Sequence, residues 1–527
     1  MTSVHPRGAA IVAIAALLTA LLPQTRAVAA GPIWLPGVQA NRPSVDDTYN
    51  NLHPVIATDR DTYILSTRAR PHLSDDETDV YLSVGARGRA PGSLTWTTHK
   101  ISSQGPAYIV TPSGNVSLAV DPSTHRLFAV WWYTKSKVAG DAAGVRTSSD
   151  GGATWSGPID LTTTGLGIPS VVAGGGTAYV AFTAGQSDVP TGSCDNRRGY
   201  DNVFVARYDG RGWSRGQNLT SCLTAAHQPE FEYIRLTRDE DGRLYLIATT
   251  NHDELYYADN AGGAWTTPVR IARNIGGSPP GSGDAAQAIA ASKGVVYIAY
   301  VGTNGTAPGY YDIFLTSHAP GGGWTVPLNV TRDASVHCQK YAPALVARAG
   351  RIGLAYIEGY SSRLDCAHDT LRVATGTPGN LTLARTTLAA DANCDHPGLA
   401  TDGDIFRLVA DCGYVAKANT FLYYQEEFLD VVGPTMTSLR VPATTTAPSV
   451  PLSWSAQDPT PGSGVAYYEV QVKEDGGAWR NVVRGVTRSR SFDYIKARAG
   501  HTYTFRVRAR DRVNNWGGWI SASTRAM

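Results

Sequence analysis

Apolar residues along the chain come in short runs bounded by Gly, Asp and Asn, and the runs recur in a fixed order. A first run leads through a turn into a second: His53-Pro-Val-Ile-Ala57 into Thr62-Tyr-Ile-Leu65, and Val116-Ser-Leu-Ala-Val120 into Leu127-Phe-Ala-Val130. The same pair returns at Pro169-Ser-Val-Val-Ala173, Gln287-Ala-Ile-Ala290, Pro343-Ala-Leu-Val-Ala347 and His396-Pro-Gly-Leu-Ala400. A third run follows, as in Asp79-Val-Tyr-Leu82, Asn202-Val-Phe-Val205, Glu254-Leu-Tyr-Tyr257 and Asp312-Ile-Phe-Leu315. A tryptophan then opens a short extended segment at Trp96, Trp155, Trp213, Trp265 and Trp324, spaced 59, 58, 52 and 59 residues apart. Runs of this length between turn residues read as strands.

Four strands per unit describe a propeller blade, because one blade cannot bury both its faces whereas a ring of them can. We therefore expect an all-β chain: a β-propeller over 31–430, with seven blades favoured over six, followed by a β-sandwich over 431–527. The seventh unit has three strands of its own, and Ile33-Trp-Leu-Pro-Gly-Val38 is the candidate for its fourth, which would remove the exposed edges. From Gly433-Pro434 onward the pattern changes to alternating strands, including Leu452-Ser-Trp454, Tyr468-Glu-Val-Gln-Val472 and Tyr503-Thr-Phe-Arg-Val-Arg-Ala509. Arg506, Arg508, Arg510 and Arg512 alternate there, which reads as one solvated strand face, with an anion site as the alternative.

Residues 1–30 stand outside this pattern. A weakly basic start, the apolar stretch Ala9–Leu22 and the small residues Ala27-Val28-Ala29 read as a secretory signal peptide, too short for a membrane span. The expected location is therefore extracellular, with no membrane insertion. Lys+Arg number 46 against Asp+Glu 44, a net charge of +2 that provides no field for gathering nucleic acid. Six cysteines suit an oxidising compartment. Their placement on the repeats favours Cys194–Cys222, Cys338–Cys366 and Cys394–Cys412, and their spacing does not suit a metal cluster.

Ser148-Ser-Asp150-Gly-Gly152-Ala-Thr-Trp155 matches the Asp box Ser-x-Asp-x-Gly-x-Thr-Trp at each defined position, and looser copies end at Trp213, Trp265 and Trp324. The motif is a hairpin turn: the carboxylate accepts backbone N–H groups, glycine permits positive φ, and the indole packs beneath. On these residues the chain resembles the sialidase (BNR repeat) superfamily over 31–430. The Ala499–Asp511 stretch with Trp454 and Trp516 resembles a fibronectin type III domain. The first resemblance implies a structural Asp150 and, in an enzyme, an arginine cluster, a Tyr–Glu nucleophile pair and an Asp acid. Pro54, Arg70 and Asp75 or Asp76 fit the first-blade pattern, whereas Leu52 stands where the first carboxylate-binding Arg belongs, which weakens sialic acid hydrolysis. The candidate catalytic residues are Asp76, Arg70, Glu358 and Tyr341, with the run Glu230-Phe-Glu232-Tyr233 as a further source of carboxylates.

First strands of a propeller begin around one mouth of the axial channel, which places His53, Gln228, Glu230, Tyr341 and His396 there, with Arg68 from the loop after the second strand of the first blade. Carboxylates, imidazoles and aromatics together suit sugar. No nucleotide, zincin or serine-hydrolase motif is present, so no cofactor and no metal are expected. The reading is a monomeric binder of extracellular carbohydrate or polymer, the alternative an exo-acting glycoside hydrolase with a rearranged site.

Overall fold

The computed structural model of the 527-residue chain describes residues 33–34, 38–40, 55–59, 61–69, 78–87, 94–102, 116–136, 139–162, 169–184, 202–220, 230–250, 253–273, 275, 286–303, 311–331, 338–359, 369–384, 392–402, 405–414, 420–428, 432–459, 464–483, 485–511 and 515–527. The proposed signal peptide lies outside them. Among the described residues no helix is long and apolar enough to cross a membrane.

Seven meander sheets occupy the described residues up to Phe428, each with its strands paired antiparallel in chain order. Blade 1 comprises Val55–Thr58, Thr62–Ala69, Thr78–Arg87 and Leu94–Lys100; blade 2 comprises Val116–Val120, Leu127–Ser136, Ala139–Ser148 and Ile159–Thr162. Blade 3 comprises Ser170–Gly174, Thr177–Ala184, Asn202–Tyr208 and Gln217–Asn218; blade 4 comprises Phe231–Arg238, Leu244–Thr250, Glu254–Asp259 and Val269–Arg273. Blade 5 comprises Gln287–Ser292, Val295–Thr303, Tyr311–His318 and Leu328–Asn329; blade 6 comprises Gln339–Arg348, Arg351–Gly359, Thr370–Thr377 and Asn380–Ala384. Blade 7 comprises Ala392–Asp402, Ile405–Tyr414 and Thr420–Phe428, and its last strand pairs with Ile33–Trp34 and Val38–Gln39 from the other end of the chain.

The second strands explain why the sequence shows continuous apolar runs. Leu244–Thr250 is buried at every position because a neighbouring sheet covers each of its faces. The outermost strand of the same blade, Val269–Arg273, has no buried position. The cores accordingly lie between sheets. Tyr245, Ile247 and Tyr257 of blade 4 pack with Ile289, Val296 and Ile298 of blade 5, with Trp324 at the edge of the cluster. Trp213 of blade 3 meets Phe128 of blade 2 at 6.1 Å, and Trp324 of blade 5 meets Tyr257 of blade 4 at 5.0 Å, both edge to face. Each indole thus reaches back to the preceding blade.

First strands neighbour one another in cyclic order, and Val55–Thr58 touches both Val116–Val120 and Ala392–Asp402. The hairpin turns that follow them are bonded from blade to blade: Gly176 N donates to Asp121 Oδ2 at 2.7 Å, Gly294 N to Asp239 Oδ2 at 3.0 Å, and Ala349 N to Ser292 Oγ at 3.0 Å. His125 pairs with Asp59 in the same way. These turns therefore gather at one end of the ring, and the strands begin at the other.

The C-terminal unit is a sandwich of a three-stranded sheet (Thr435–Arg440, Val450–Gln457, Ser491–Tyr494) and a five-stranded one (Thr444–Thr445, Ile520–Ala526, Thr502–Asp511, Val465–Glu474, Arg480–Asn481). Strict alternation buries Val450, Leu452, Trp454, Tyr503, Phe505 and Val507 in one core. Tyr503 OH accepts the Arg498 N–H at 2.9 Å, which ties the strand to the loop before it. One expectation is corrected here. Arg506, Arg508 and Arg510 are half-buried and stacked among indoles rather than lying on a plain solvated face, because Trp479, Trp516 and Trp519 share that side of the sheet.

Candidate functional site at the strand-start end of the ring

Proline shapes the beginnings of the first strands. It has no N–H to give the ladder, so a strand carrying one bulges or begins there. In blade 6 the register passes from Tyr341↔Ile357 to Ala344↔Ala355 across Ala342-Pro343. In blade 7 it passes from Asp395↔Asp411 to Gly398↔Val409 across His396-Pro397. Ala342 and His396 take the left-handed conformation, at φ 49° and 45°. Blade 4 bulges at Glu232, between Phe231↔Thr250 and Tyr233↔Thr249. A non-glycine residue held in that conformation costs about 1–3 kcal/mol and marks a place where the surroundings dictate the backbone.

At the blade 7 bulge the His396 imidazole is buried, and its Nδ1 lies 3.1 and 3.2 Å from the two oxygens of the buried Asp411 carboxylate. A carboxylate on Nδ1 holds the proton there in the neutral ring, fixes the ring plane and makes Nε2 the acceptor nitrogen. One residue pair away, Cys394 and Cys412 are directly opposed and joined by a disulfide, with Cα atoms 4.1 Å apart. Cys338 is also disulfide-bonded. Cys194, Cys222 and Cys366 lie outside the described residues.

Glu232 is exposed at the blade 4 bulge, yet desolvation of its carboxyl by the surrounding chain, then the charges of Glu230 and Asp253, push it above the ordinary carboxylate range. Glu230 is half-buried immediately before that strand. In blade 6 Lys340 is 2% exposed. Its Nζ lies 3.8 Å from Asp312 of blade 5 and 3.9 Å from Glu358, and Arg372 Nε donates to Glu358 at 2.5 Å. Glu358 is thus held between two cations, and its register partner is Lys340 rather than Tyr341. Tyr341 is buried within the first strand itself, which starts at Gln339. Arg68 lies on the second strand of blade 1 opposite Asp79. His53, Arg70, Asp75, Asp76 and Gln228 lie outside the described residues.

The Asp box forms away from this end, in the turn between the third and fourth strands of blade 2. Asp150 Oδ1 accepts the Thr154 N–H at 2.9 Å, Ser148 Oγ donates to Asp150 at 2.8 Å and accepts the Gly152 N–H at 2.9 Å, and Trp155 Nε1 donates to Gly152 O at 3.0 Å. These bonds, the Thr154 hydroxyl's foremost, bring the Asp150 carboxyl down to about 2. Gly152 has φ 94°, and a Cβ there would stand 2.3 Å from Leu82 of blade 1. The worn copy at Asp209 keeps the same logic, accepting the Arg211 and Gly212 N–H groups at 2.9 and 3.0 Å.

Sequence reasoning missed Asp411, which sits 15 residues beyond its histidine, and the cations around Glu358. It also missed a device shared by four blades: the residue after the tryptophan is Ser or Thr, and its hydroxyl accepts a third-strand N–H. Ser156, Ser214, Thr266 and Thr325 do this at 3.1, 3.0, 3.0 and 2.9 Å. The Trp-Ser/Thr dipeptide was the available signal. Among the described residues, Glu474, Asp475 and His501 have metal-ligand spacing, within 4.8 Å of one another. Arg498 already donates to Glu474 at 2.5 Å and His501 pairs with Asp475 at the same distance, so both carboxylates already have hydrogen-bond partners.

The fibronectin type III domain family profile matches residues 434–522. No curated protein sequence matches the chain. Among solved structures, the polysaccharide lyase Uly1 is similar at 13% identity and TM-score 0.45, covering 76% of this chain and 95% of that one. The alpha-L-arabinanase of Penicillium chrysogenum is similar at 11% identity and TM-score 0.41, with 76% and 99% covered. Trypanosoma rangeli sialidase is similar at 9% identity and TM-score 0.40, with 94% and 89% covered. The ring of meander sheets defines an all-β propeller, and its second blade carries a formed Asp box. A fibronectin type III domain follows it.

Proposed function

We propose that this chain is a secreted propeller protein that binds an extracellular glycan or polymer across the end of the ring where the first strands begin. The observation that carries the reading is the buried His396–Asp411 pair on a proline-forced bulge. A hydroxyl-rich ligand is recognised by a few polar groups held in fixed orientation, and this imidazole is held by a carboxylate on a strand start stapled by Cys394–Cys412. Glu230 and Glu232 supply carboxylates from blade 4, and His53, Arg68 and Gln228 complete the proposed binding set. The disulfide also suits an extracellular setting.

The raised Glu232 carboxyl favours a second reading, an exo-acting glycoside hydrolase with a rearranged site. A carboxyl that holds its proton to higher pH than usual suits the role of protonating a leaving oxygen. In that reading Asp76 and Arg70 serve acid and carboxylate-binding roles, with Tyr341 and Glu358 as the nucleophile pair. The two cations on Glu358 weigh against the last role.

A glycan array probed with the full chain, beside a screen of aryl glycosides that includes sialosides, tests both. Array binding lost in a folded His396→Ala variant supports the binding reading. Turnover abolished by Glu232→Gln or Asp76→Ala overturns it in favour of hydrolysis. An empty array with no turnover overturns both.

A further inference from the structure

The charge of the chain is unevenly divided. Residues 434–527 carry 13 Lys and Arg against 6 Asp and Glu, a net of +7, whereas residues 1–433 carry 33 against 38, a net of −5. The near-neutral whole conceals a basic C-terminal domain. Much of that charge is organised on one face of the five-stranded sheet. Phe505, Val507 and Ala509 point into the core, so Arg506, Arg508 and Arg510 point outward from the same strand. Arg506 lies over Trp479 at 4.2 Å and Trp519 at 4.3 Å; Arg508 lies over Trp516 at 4.3 Å and Trp519 at 4.5 Å. Arg510 continues the stack over Tyr467 at 4.9 Å and Trp516 at 5.4 Å. Lys473, 4.9 Å above Trp479, and Arg488, 5.0 Å above Tyr467, cap the two ends.

Stacking between rings fixes each guanidinium plane and leaves its edge to make hydrogen bonds. Arg506 spends Nε and Nη2 on Gln471 Oε1 at 2.9 and 2.6 Å, and Arg508 spends the same two atoms on Glu469 Oε2 at 2.8 and 2.6 Å. In both, Nη1 remains outside those bonds. Glu469 is the one carboxylate paired with the ladder among the described residues, so the cations outnumber it. The indoles are half-buried, which keeps part of their apolar surface in contact with solvent.

We propose that this guanidinium–indole ladder is a binding face for an acidic polysaccharide, a polymer whose sugar rings carry carboxylate or sulfate groups. Planar guanidinium edges pair with carboxylate or sulfate oxygens, and the exposed indole surface takes the apolar faces of sugar rings. Successive outward residues on a strand stand about 6.6–6.8 Å apart, so the three arginines form a row suited to a repeating anionic chain. The inference is independent of what the propeller binds.

The test is affinity electrophoresis and titration of the full chain with dextran sulfate and polygalacturonate, with uncharged dextran and single-stranded DNA as comparisons. The expected result is binding to both acidic polysaccharides, weakening as salt rises, and none to dextran. Arg506→Gln/Arg510→Gln should weaken binding about tenfold or more, each substitution removing a charge-assisted contact. If that variant does not fold, Lys473→Gln/Arg488→Gln at the ends of the ladder decides, with an expected loss of about threefold for peripheral charges. Equal binding to dextran, tighter binding to DNA than to either polysaccharide, or unchanged affinity in a folded ladder variant would overturn the proposal.

Discussion

Trp96 meets Tyr424 edge to face, with ring centroids 5.1 Å apart, and so joins the outermost strand of blade 1 to the third strand of blade 7. It is one of the contacts by which the last sheet meets the first, beside Ile56 and Ile64 packed with Val409 and Leu422. Tyr424 is also the register partner of Val38 from the N-terminal segment. The same residue therefore serves both the packing of the ring and its closure.

Trp96→Ala should lower stability by about 3–5 kcal/mol, the range for large aromatic truncations in a packed interface. In a double-mutant cycle with Tyr424→Phe as the second substitution, the two effects should add, because the edge-to-face contact needs the ring, which phenylalanine keeps, and not the hydroxyl. Urea unfolding of the four proteins checks both statements.

Lys340→Met should be among the most costly single substitutions, about 3–5 kcal/mol, because it leaves Asp312 and Glu358 facing each other without the buried cation between them. Adding Glu358→Gln should recover about 1 kcal/mol or more by removing one of those charges. Chemical denaturation of the single and double variants reads this directly. A single variant as stable as the parent would remove the ion pair from any structural role.

The amount legible in the sequence follows from what each residue contacts. Trp155, Trp213, Trp265 and Trp324 were visible because they recur in phase, and recurrence reflects a repeated contact with the preceding blade. The N-terminal closing strand was visible because an unpaired sheet edge needs a partner. The His396–Asp411 pair was half visible. The histidine precedes a proline at a bulge within the first strand of blade 7, but its carboxylate arrives through antiparallel register, which no local pattern encodes. Arg506, Arg508 and Arg510 were misread for a related reason. Alternation along one strand cannot reveal that Trp479, Trp516 and Trp519, from two other segments, fill the spaces between them.

Asp150 gives a pH dependence of known sign. Its carboxyl titrates at about 2 in the fold against an ordinary 3.8. Its hydrogen bonds therefore stabilise the fold above about pH 4, and that contribution is lost as pH falls toward 2. The melting temperature of Asp150→Asn should lie below the parent's by a constant margin from pH 7 to 5, and the margin should shrink on further acidification.

Glu232 behaves in the opposite sense. Its folded carboxyl holds its proton to higher pH than in the unfolded chain, so its charge disfavours the fold at neutral pH and not once it is protonated. Glu232→Gln should raise the melting temperature at pH 7, and the gain should vanish as pH falls through the carboxylate range. A gain that persists unchanged at acid pH would assign the effect to packing instead.

Reducing the ring's covalent staple should loosen the strand start that carries His396. Cys394→Ser/Cys412→Ser opens a loop of 18 residues, and disulfides of such span stabilise by about 2–4 kcal/mol. Denaturation of this variant beside the parent, both under non-reducing conditions, measures the difference.

The measurement that bears most directly on the ring-mouth reading is titration calorimetry of the full chain with the best-bound glycan of the array, in parent, Asp411→Asn, Glu232→Gln and Asp150→Asn forms. Binding through the strand-start end predicts at least about tenfold weaker affinity in the first two variants, each having lost a fixed polar group, and parent affinity in Asp150→Asn. Parent affinity in both folded strand-start variants, or an equal loss in Asp150→Asn, would contradict it.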